Sequence, residues 1–188
     1  MKRSRTVAFS LAILAVLTAG CGYNTIQTLD ERVNQAKGQI QAQLQRRADL
    51  IPNLVATVKG ITKQEDTVFI SIANARSRLG GAIQSGNVPE MAAANAALSQ
   101  GLGRLIAISE NYPQLRSSEN FRQLQDQLEG TENRISVARQ DYNAAVGEYN
   151  AYIRRFPYNL TAKIFGLGTP REYFEAEQGA GKAPKVKF

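Results

Sequence analysis

The apolar positions of this chain recur in steps of three and four, which is the spacing of an amphipathic α-helix. One run covers residues 26–44 and comprises Ile26, Leu29, Val33, Ala36, Ile40 and Leu44. A second run covers residues 51–79, where Glu65 is the one polar position among Ile51, Leu54, Val58, Ile61, Val68, Ile72, Ala75 and Leu79. Nothing in the sequence alternates with a period of two, so the pattern predicts no β-sheet.

Two more helices follow. Residues 89–110 are rich in alanine, and Asn87 and Pro89 supply a cap and a first-turn proline. The last helix is predicted to be the longest, since its apolar seam keeps strict three-and-four spacing from Phe121 to Phe156. This seam is Phe121, Leu124, Leu128, Thr131, Ile135, Ala138, Tyr142, Ala145, Tyr149, Tyr152 and Phe156.

The connections decide the topology. Asp49–Pro52 interrupts the first pattern and is interpreted as a tight reversal, with one kinked helix over 24–79 as the alternative. Gly80 and Gly81 are expected to end the second helix. A reversal gives four antiparallel helices and returns Phe156 to the end that holds Asn24, whereas the kinked helix would leave three.

A capping box at Thr169–Glu172 predicts one more short helix, which would contain Tyr173 and Phe174. The expected fold is therefore all-α, an antiparallel up-and-down four-helix bundle over residues 21–177 with a short C-terminal helical extension. Residues 178–188 are predicted to form a flexible basic tail.

The first 20 residues have the features of a signal peptide. Basic residues precede an apolar stretch, Val7–Thr18, which is shorter than the roughly 20 residues needed to span a bilayer. Small residues end at Gly20, and Cys21, the only cysteine, follows at once. This arrangement is similar to a bacterial lipobox and predicts lipid attachment at Cys21. The alternative is a plain secretory signal, or a short uncleaved anchor with an inert cysteine.

Composition narrows the chemistry. The 188 residues include no histidine, which excludes serine–histidine triads, histidine-bound zinc and histidine-containing di-iron sites, so neither metal nor cofactor is expected. The net charge is +7, but the excess lies at the two ends, in Lys2, Arg3, Arg5, Lys182, Lys185 and Lys187. The body is close to neutral, so we expect no nucleic-acid binding.

Several sequence blocks resemble the LemA family, and the resemblance covers about residues 23–188. Two departures are the short apolar leader with Cys21, where many members carry a longer membrane helix, and Gln64-Glu65, where members often have His-Glu. The resemblance implies an all-helical bundle held on a membrane by its N-terminus, with no established catalytic residues. The blocks are Arg46–Val55, Glu110–Pro113, Gly130–Ile135, Tyr142-Asn143, Tyr149-Asn150, Phe156-Pro157 and Phe165-Gly166.

Glu65 is the main candidate for a special role, because an unpaired carboxylate on a packed face is costly. We interpret it as half of a buried ion pair; a ligand or partner contact and a surface position are the alternatives. Arg46 and Arg47 are possible partners. They could also bind an acidic lipid head group or another protein, but the favoured interpretation is that they complement the dipole at a helix end. Other possible partners of Glu65 are Arg104 and Arg134.

Two further sets of side chains have ordinary interpretations. Tyr142, Tyr149 and Tyr152 are expected to fill the core, with a ligand pocket as the alternative. The acidic row Asp126, Glu129 and Glu132 is interpreted as a solvated helix face.

The sequence thus favours a non-enzymatic lipoprotein on the extracytoplasmic face of a bacterial membrane, periplasmic if the cell has two. It would act as a scaffold that holds an envelope protein. The alternative is a bundle that binds a small ligand or lipid.

Overall fold

The computed structural model describes residues 2–60 and 66–175, with side chains described from residue 22 onward. These ranges are helical and contain no strand, so the predicted all-α bundle class is confirmed. The described helices are α1 Lys2–Lys59, α2 Asp66–Ser85, α3 Val88–Ser109, α4 Pro113–Arg116, α5 Glu119–Tyr152 and α6 Tyr158–Ile164. Four of them are long, as predicted, although their boundaries differ from the expected ones.

The first helix does not reverse at Pro52. Helix α1 continues through this proline to Lys59, so the predicted reversal at Asp49–Pro52 is wrong, as is a single helix over 24–79. Proline lacks the amide that would donate to the carbonyl four residues earlier, that of Ala48. Arg76 of α2 supplies the missing donor, because its Nε lies 2.8 Å from that oxygen. A contact remote in sequence therefore stabilises the helix where the local signal favours a break.

The second helix passes through Gly80 and Gly81 and ends at Ser85, so the predicted stop is also wrong. The buried Leu79 and Ala82 flank the glycine pair, and their packing outweighs the low helix propensity of glycine. Gly86, with φ +67°, makes the actual turn. The predicted cap of the third helix is confirmed.

The described residues form two compact units, and each is described by itself. Unit 1 comprises the chain up to Lys37 together with Asp141–Glu172, and unit 2 comprises Gly38–Gln140 together with the residues from Tyr173 onward. In unit 2, α2 packs on α3. Gly101 permits this close approach, because a Cβ there would lie 2.8 Å from Cγ1 of Ile72.

Unit 1 buries an apolar stripe of α1, which comprises Ile26, Leu29, Val33 and Ala36. The facing part of α5 buries Tyr142, Val146 and Tyr149, and Ile153 just after the helix end is also buried, a spacing of about 3.6 residues in place of the predicted Ala145, Tyr152 and Phe156. Helix α5 ends at Tyr152, and Phe156 is 80% exposed, so its predicted place in the seam is wrong.

The C-terminal helical extension is α6, which ends at Ile164 and thus precedes the predicted position. Residues 167–175 are not helical, so the helix predicted from Thr169 is wrong. The predicted tail, residues 178–188, lies outside the described residues. Residues 2–20, predicted to be a signal peptide, form the first part of α1.

Candidate functional site

Side chains of α5 hold an extended segment, Leu167–Glu172, which we call the C-terminal strap. Asn150 donates through Nδ2 to the carbonyl oxygen of Arg171 at 2.9 Å and accepts from its amide at 2.8 Å. The Tyr149 hydroxyl donates to the carbonyl of Leu167 and the Tyr142 hydroxyl to that of Glu172, both at 2.8 Å. The backbone groups that a helix would use internally are bonded to α5 instead.

The guanidinium of Arg171 ties the strap to α1. Its Nη2 and Nε lie 2.6 and 3.0 Å from Oδ1 of Asp30, and its Cζ lies 5.8 Å from the centroid of the Tyr149 ring. The hydrogen bond to Asp30 raises the pKa of Arg171, so this side chain remains charged. Within unit 1, a charge-assisted hydrogen bond therefore joins the C-terminal strap to helix α1.

Burial raises the pKa of Tyr142 and of Tyr149 above the usual 10.0, and for Tyr149 the charge of Asp30 adds to the effect. Both rings are buried, in agreement with the core interpretation. Tyr152 is half-buried and stacks on Tyr158 with the ring centroids 4.4 Å apart. The hydroxyls of Tyr142 and Tyr149 act as neutral donors to the chain's own carbonyls rather than facing an open ligand pocket.

Unit 2 contains a buried arginine. Arg47 is 5% exposed, and its Nη1 lies 2.8 Å from Oδ1 of Asn95 and 2.5 Å from Oε2 of Glu132. Arg46 is exposed, and Glu65 lies outside the described residues, so its pairing stays a prediction. Glu132 is half-exposed, as its predicted solvated face requires, yet its carboxylate turns toward the buried arginine.

Sequence reasoning named Arg47 but missed Asn95 and Glu132 as its partners. A signal for Asn95 exists, since it occupies a buried position four residues after Met91 and three before Leu98, on the apolar face of α3. No comparable signal exists for Glu132, which lies in a row of acidic residues at helical spacing.

The end of unit 1 that holds α6 also holds the residues that follow Cys21. The rings of Tyr23 and Phe165 have centroids 4.6 Å apart. Tyr158 packs so closely on Gly22 that a Cβ there would lie 2.5 Å from its Cδ1. The C-terminal segment thus lies beside Gly22 and Tyr23, the residues next to the cleavage point that the leader sequence predicts. The side chain of Cys21 itself lies outside the described part.

Within the described ranges, no group of three histidine, cysteine, aspartate or glutamate side chains is arranged to hold a metal ion. None of the helices in those ranges is both long and apolar enough to cross a bilayer.

Comparison with known proteins identifies the family to which this chain is similar. A model of the LemA family matches residues 36–188. The magnetosome proteins MamQ 1 and MamQ 2 of Paramagnetospirillum magneticum are each 29% identical over 187 aligned residues, covering 87% of this chain and 68% of the relative. The magnetosome protein MamQ of Magnetospirillum gryphiswaldense is 27% identical with the same coverage.

Proposed function

Because this chain belongs to the LemA family, we propose that it is a non-catalytic helical-bundle lipoprotein, anchored on the extracytoplasmic side of a bacterial membrane. In this proposal the lipid on Cys21 is the anchor, and the bundle holds or organises an envelope protein. The observation that carries the proposal is the position of the only cysteine, directly after an apolar stretch and three small residues.

The side chains described in unit 1 support a scaffold rather than an enzyme. Tyr142, Tyr149 and Asn150 have hydrogen-bonding groups of the kind that bind ligands, but all three bind the backbone of the C-terminal strap. The same contacts argue against the alternative, a ligand pocket beside Tyr142 and Tyr149. The absence of histidine from the sequence removes the most common general base.

The anchoring experiment uses the full-length chain in a bacterial host. Mass spectrometry of the native protein is expected to show cleavage before Cys21 and an acyl mass on that residue. Cys21→Ser is expected to accumulate as an uncleaved precursor or to leave the membrane fraction. A lipobox usually has leucine three residues before its cysteine, where this chain has Thr18. Thr18→Leu therefore serves as the control and is expected to retain the acyl mass. A native protein with an unmodified Cys21 thiol would contradict the proposal.

The scaffold part of the proposal is tested separately. The lipidated protein is cross-linked in intact membranes, and the captured proteins are compared with those from Cys21→Ser cells. An envelope protein captured only by the lipidated form supports a scaffold whose position depends on the anchor. If the lipidated protein and Cys21→Ser capture the same proteins equally, partner binding does not depend on the anchor, which contradicts this part of the proposal.

A further inference from the structure

We propose that the outer face of α6 is a second membrane-contacting surface, which lies on anionic lipid head groups beside the anchored N-terminus. This surface, called the α6 face, comprises Leu160, Lys163 and Ile164, with Phe156 and Phe165 at its two ends. The inference rests on the proposed anchoring at Cys21 and adds a site that the anchor alone does not require.

Helix α6 has two distinct sides. Thr161 and Ala162 are buried, while Leu160 is 52% exposed and Ile164 is 76% exposed. Leu160 and Ile164 are four residues apart and therefore lie on the same side of the helix, with the exposed Lys163 next to them. The packing of α6 in unit 1 thus uses one side and leaves an apolar side facing outward.

The apolar character extends beyond the helix. Phe156 is 80% exposed and Phe165 is 56% exposed, so four large apolar side chains within ten residues face solvent. Single exposed apolar residues are normal on soluble proteins, but a concentration of this kind marks a surface that binds something apolar.

The charge around this surface indicates what it binds. From Tyr149 to Pro170 the sequence contains no aspartate or glutamate, whereas Arg154, Arg155 and Lys163 are basic and exposed. Apolar side chains surrounded by cations are the composition of segments that lie at the interface of anionic membranes. An acidic protein surface would satisfy the cations but not the phenylalanines and the aliphatic side chains.

The position of α6 brings it within reach of a bilayer. Tyr158, at its first turn, packs on Gly22, and Phe165, just after its last, contacts Tyr23. These two residues directly follow Cys21, so a lipid on that cysteine holds the bilayer next to the α6 face. A basic and apolar surface beside a lipid anchor adds its own attraction to anionic head groups.

The test uses the absence of tryptophan from this chain, which makes an introduced tryptophan the only one. Lipidated protein with Ile164→Trp, purified from the bacterial host, is reconstituted into vesicles of equal parts phosphatidylcholine and phosphatidylglycerol with brominated acyl chains. The matched control is Val137→Trp, which replaces a 57% exposed apolar residue of α5 in unit 2. We expect a blue shift and loss of most of the emission for Ile164→Trp, and neither change for Val137→Trp.

The possible results separate the α6 face from the anchor. A protein that floats with the vesicles while the Ile164→Trp emission is unquenched would overturn the α6 proposal and leave the anchor intact. A lipidated protein that stays in solution would overturn both. A blue shift without quenching by the brominated lipid means that a protein surface, or a second copy of this chain, covers α6, and this too overturns the proposal.

A second arm tests the charge. In the Ile164→Trp protein, Arg154→Gln, Arg155→Gln and Lys163→Gln are combined, and circular dichroism verifies that the helices persist. We expect quenching in vesicles containing phosphatidylglycerol to fall toward the level seen with pure phosphatidylcholine. Unchanged quenching in both lipids would overturn the role assigned to the anionic head groups.

Discussion

Asn150 holds both backbone groups of Arg171, since its amide nitrogen donates to the carbonyl oxygen at 2.9 Å and its oxygen accepts from the amide at 2.8 Å. One buried side chain thereby provides the two hydrogen bonds that a helix would have provided. This pairing keeps the strap extended and explains why the capping box at Thr169 starts no helix.

Removing this side chain should loosen the strap. Asn150→Ala leaves the amide and carbonyl of Arg171 without these partners, and we expect a loss of about 1–3 kcal/mol in unfolding free energy. Hydrogen exchange should also accelerate at the amide of Arg171. Asn133→Ala, at an exposed position of the same helix, is the control and should change stability by less than about 0.5 kcal/mol. Equal effects of the two changes would refute the assigned role.

The tyrosine hydroxyls should make the strap sensitive to alkaline pH. Their pKa values are raised in the folded chain, so stability is full below pH 10.0 and is lost as the pH rises through the raised values. A tyrosinate can no longer donate to the carbonyls of Leu167 and Glu172. Urea midpoints measured across this range should fall as the tyrosinate absorbance, recorded in parallel, rises.

The phenylalanine variants provide the control for this pH effect. Tyr142→Phe should cost about 0.5–1.5 kcal/mol near neutral pH and should then lose less stability than the parent above pH 10.0. Tyr173→Phe, at an exposed ring, should follow the parent at every pH. A Tyr142→Phe curve parallel to that of the parent would show that this hydroxyl does not produce the loss.

The Arg47 cluster predicts a large difference between neighbouring carboxylates. Glu132→Ala leaves a buried guanidinium without this carboxylate, and we expect a loss of about 1–3 kcal/mol. Glu129→Ala, exposed one turn earlier on α5, should be nearly neutral. In a double-mutant cycle, Arg47→Met combined with Glu132→Ala should cost less than the sum of the single changes. Additive costs would mean that the two groups do not interact.

Two glycines of α3 should respond to alanine in opposite directions. Gly101→Ala places a Cβ 2.8 Å from Cγ1 of the buried Ile72, and overpacking of this kind costs about 1–3 kcal/mol. Gly103→Ala meets nothing within 4 Å and should stabilise the protein, because alanine favours a helix over glycine by about 1 kcal/mol. Thermal denaturation of both variants checks the prediction, and a stabilised Gly101→Ala would contradict the close approach of α2 and α3.

Periodicity was enough to predict the helical class, the third helix and its cap, because those features depend on neighbours within one or two turns. The continuation of α1 through Pro52 was not predictable in this way. The donor that compensates for the proline belongs to Arg76, on a different helix, and a local pattern has no access to such a contact. The same holds for Gly80 and Gly81, where α2 continues because burial of Ala82 outweighs the low helix propensity of glycine.

The sites show the same division between local and remote information. Arg47 was named from the sequence as a possible partner of Glu65, but its contacts with Asn95 and Glu132 depend on how α1, α3 and α5 pack. Tyr142 and Tyr149 of α5 were correctly expected in the core, whereas Tyr152 is only half-buried. The spacing of apolar residues did not indicate which groups the hydroxyls of Tyr142 and Tyr149 bind. The strap carbonyls that accept these hydrogen bonds belong to a segment with no regular pattern of apolar residues.

The division of the chain between the two units sets an order of events during synthesis. The helices of unit 2 come from the continuous stretch 38–140, whereas unit 1 joins its first 37 residues to residues 141–172. Arg171 leaves the ribosome 141 positions after Asp30, which at translation rates of roughly 5–20 residues per second is about 7–28 s later. The apolar stripe of Ile26, Leu29 and Val33 is thus among the first surfaces synthesised and the last to be covered. Until residues 141–153 are synthesised, this stripe is open to a chaperone or to a second chain.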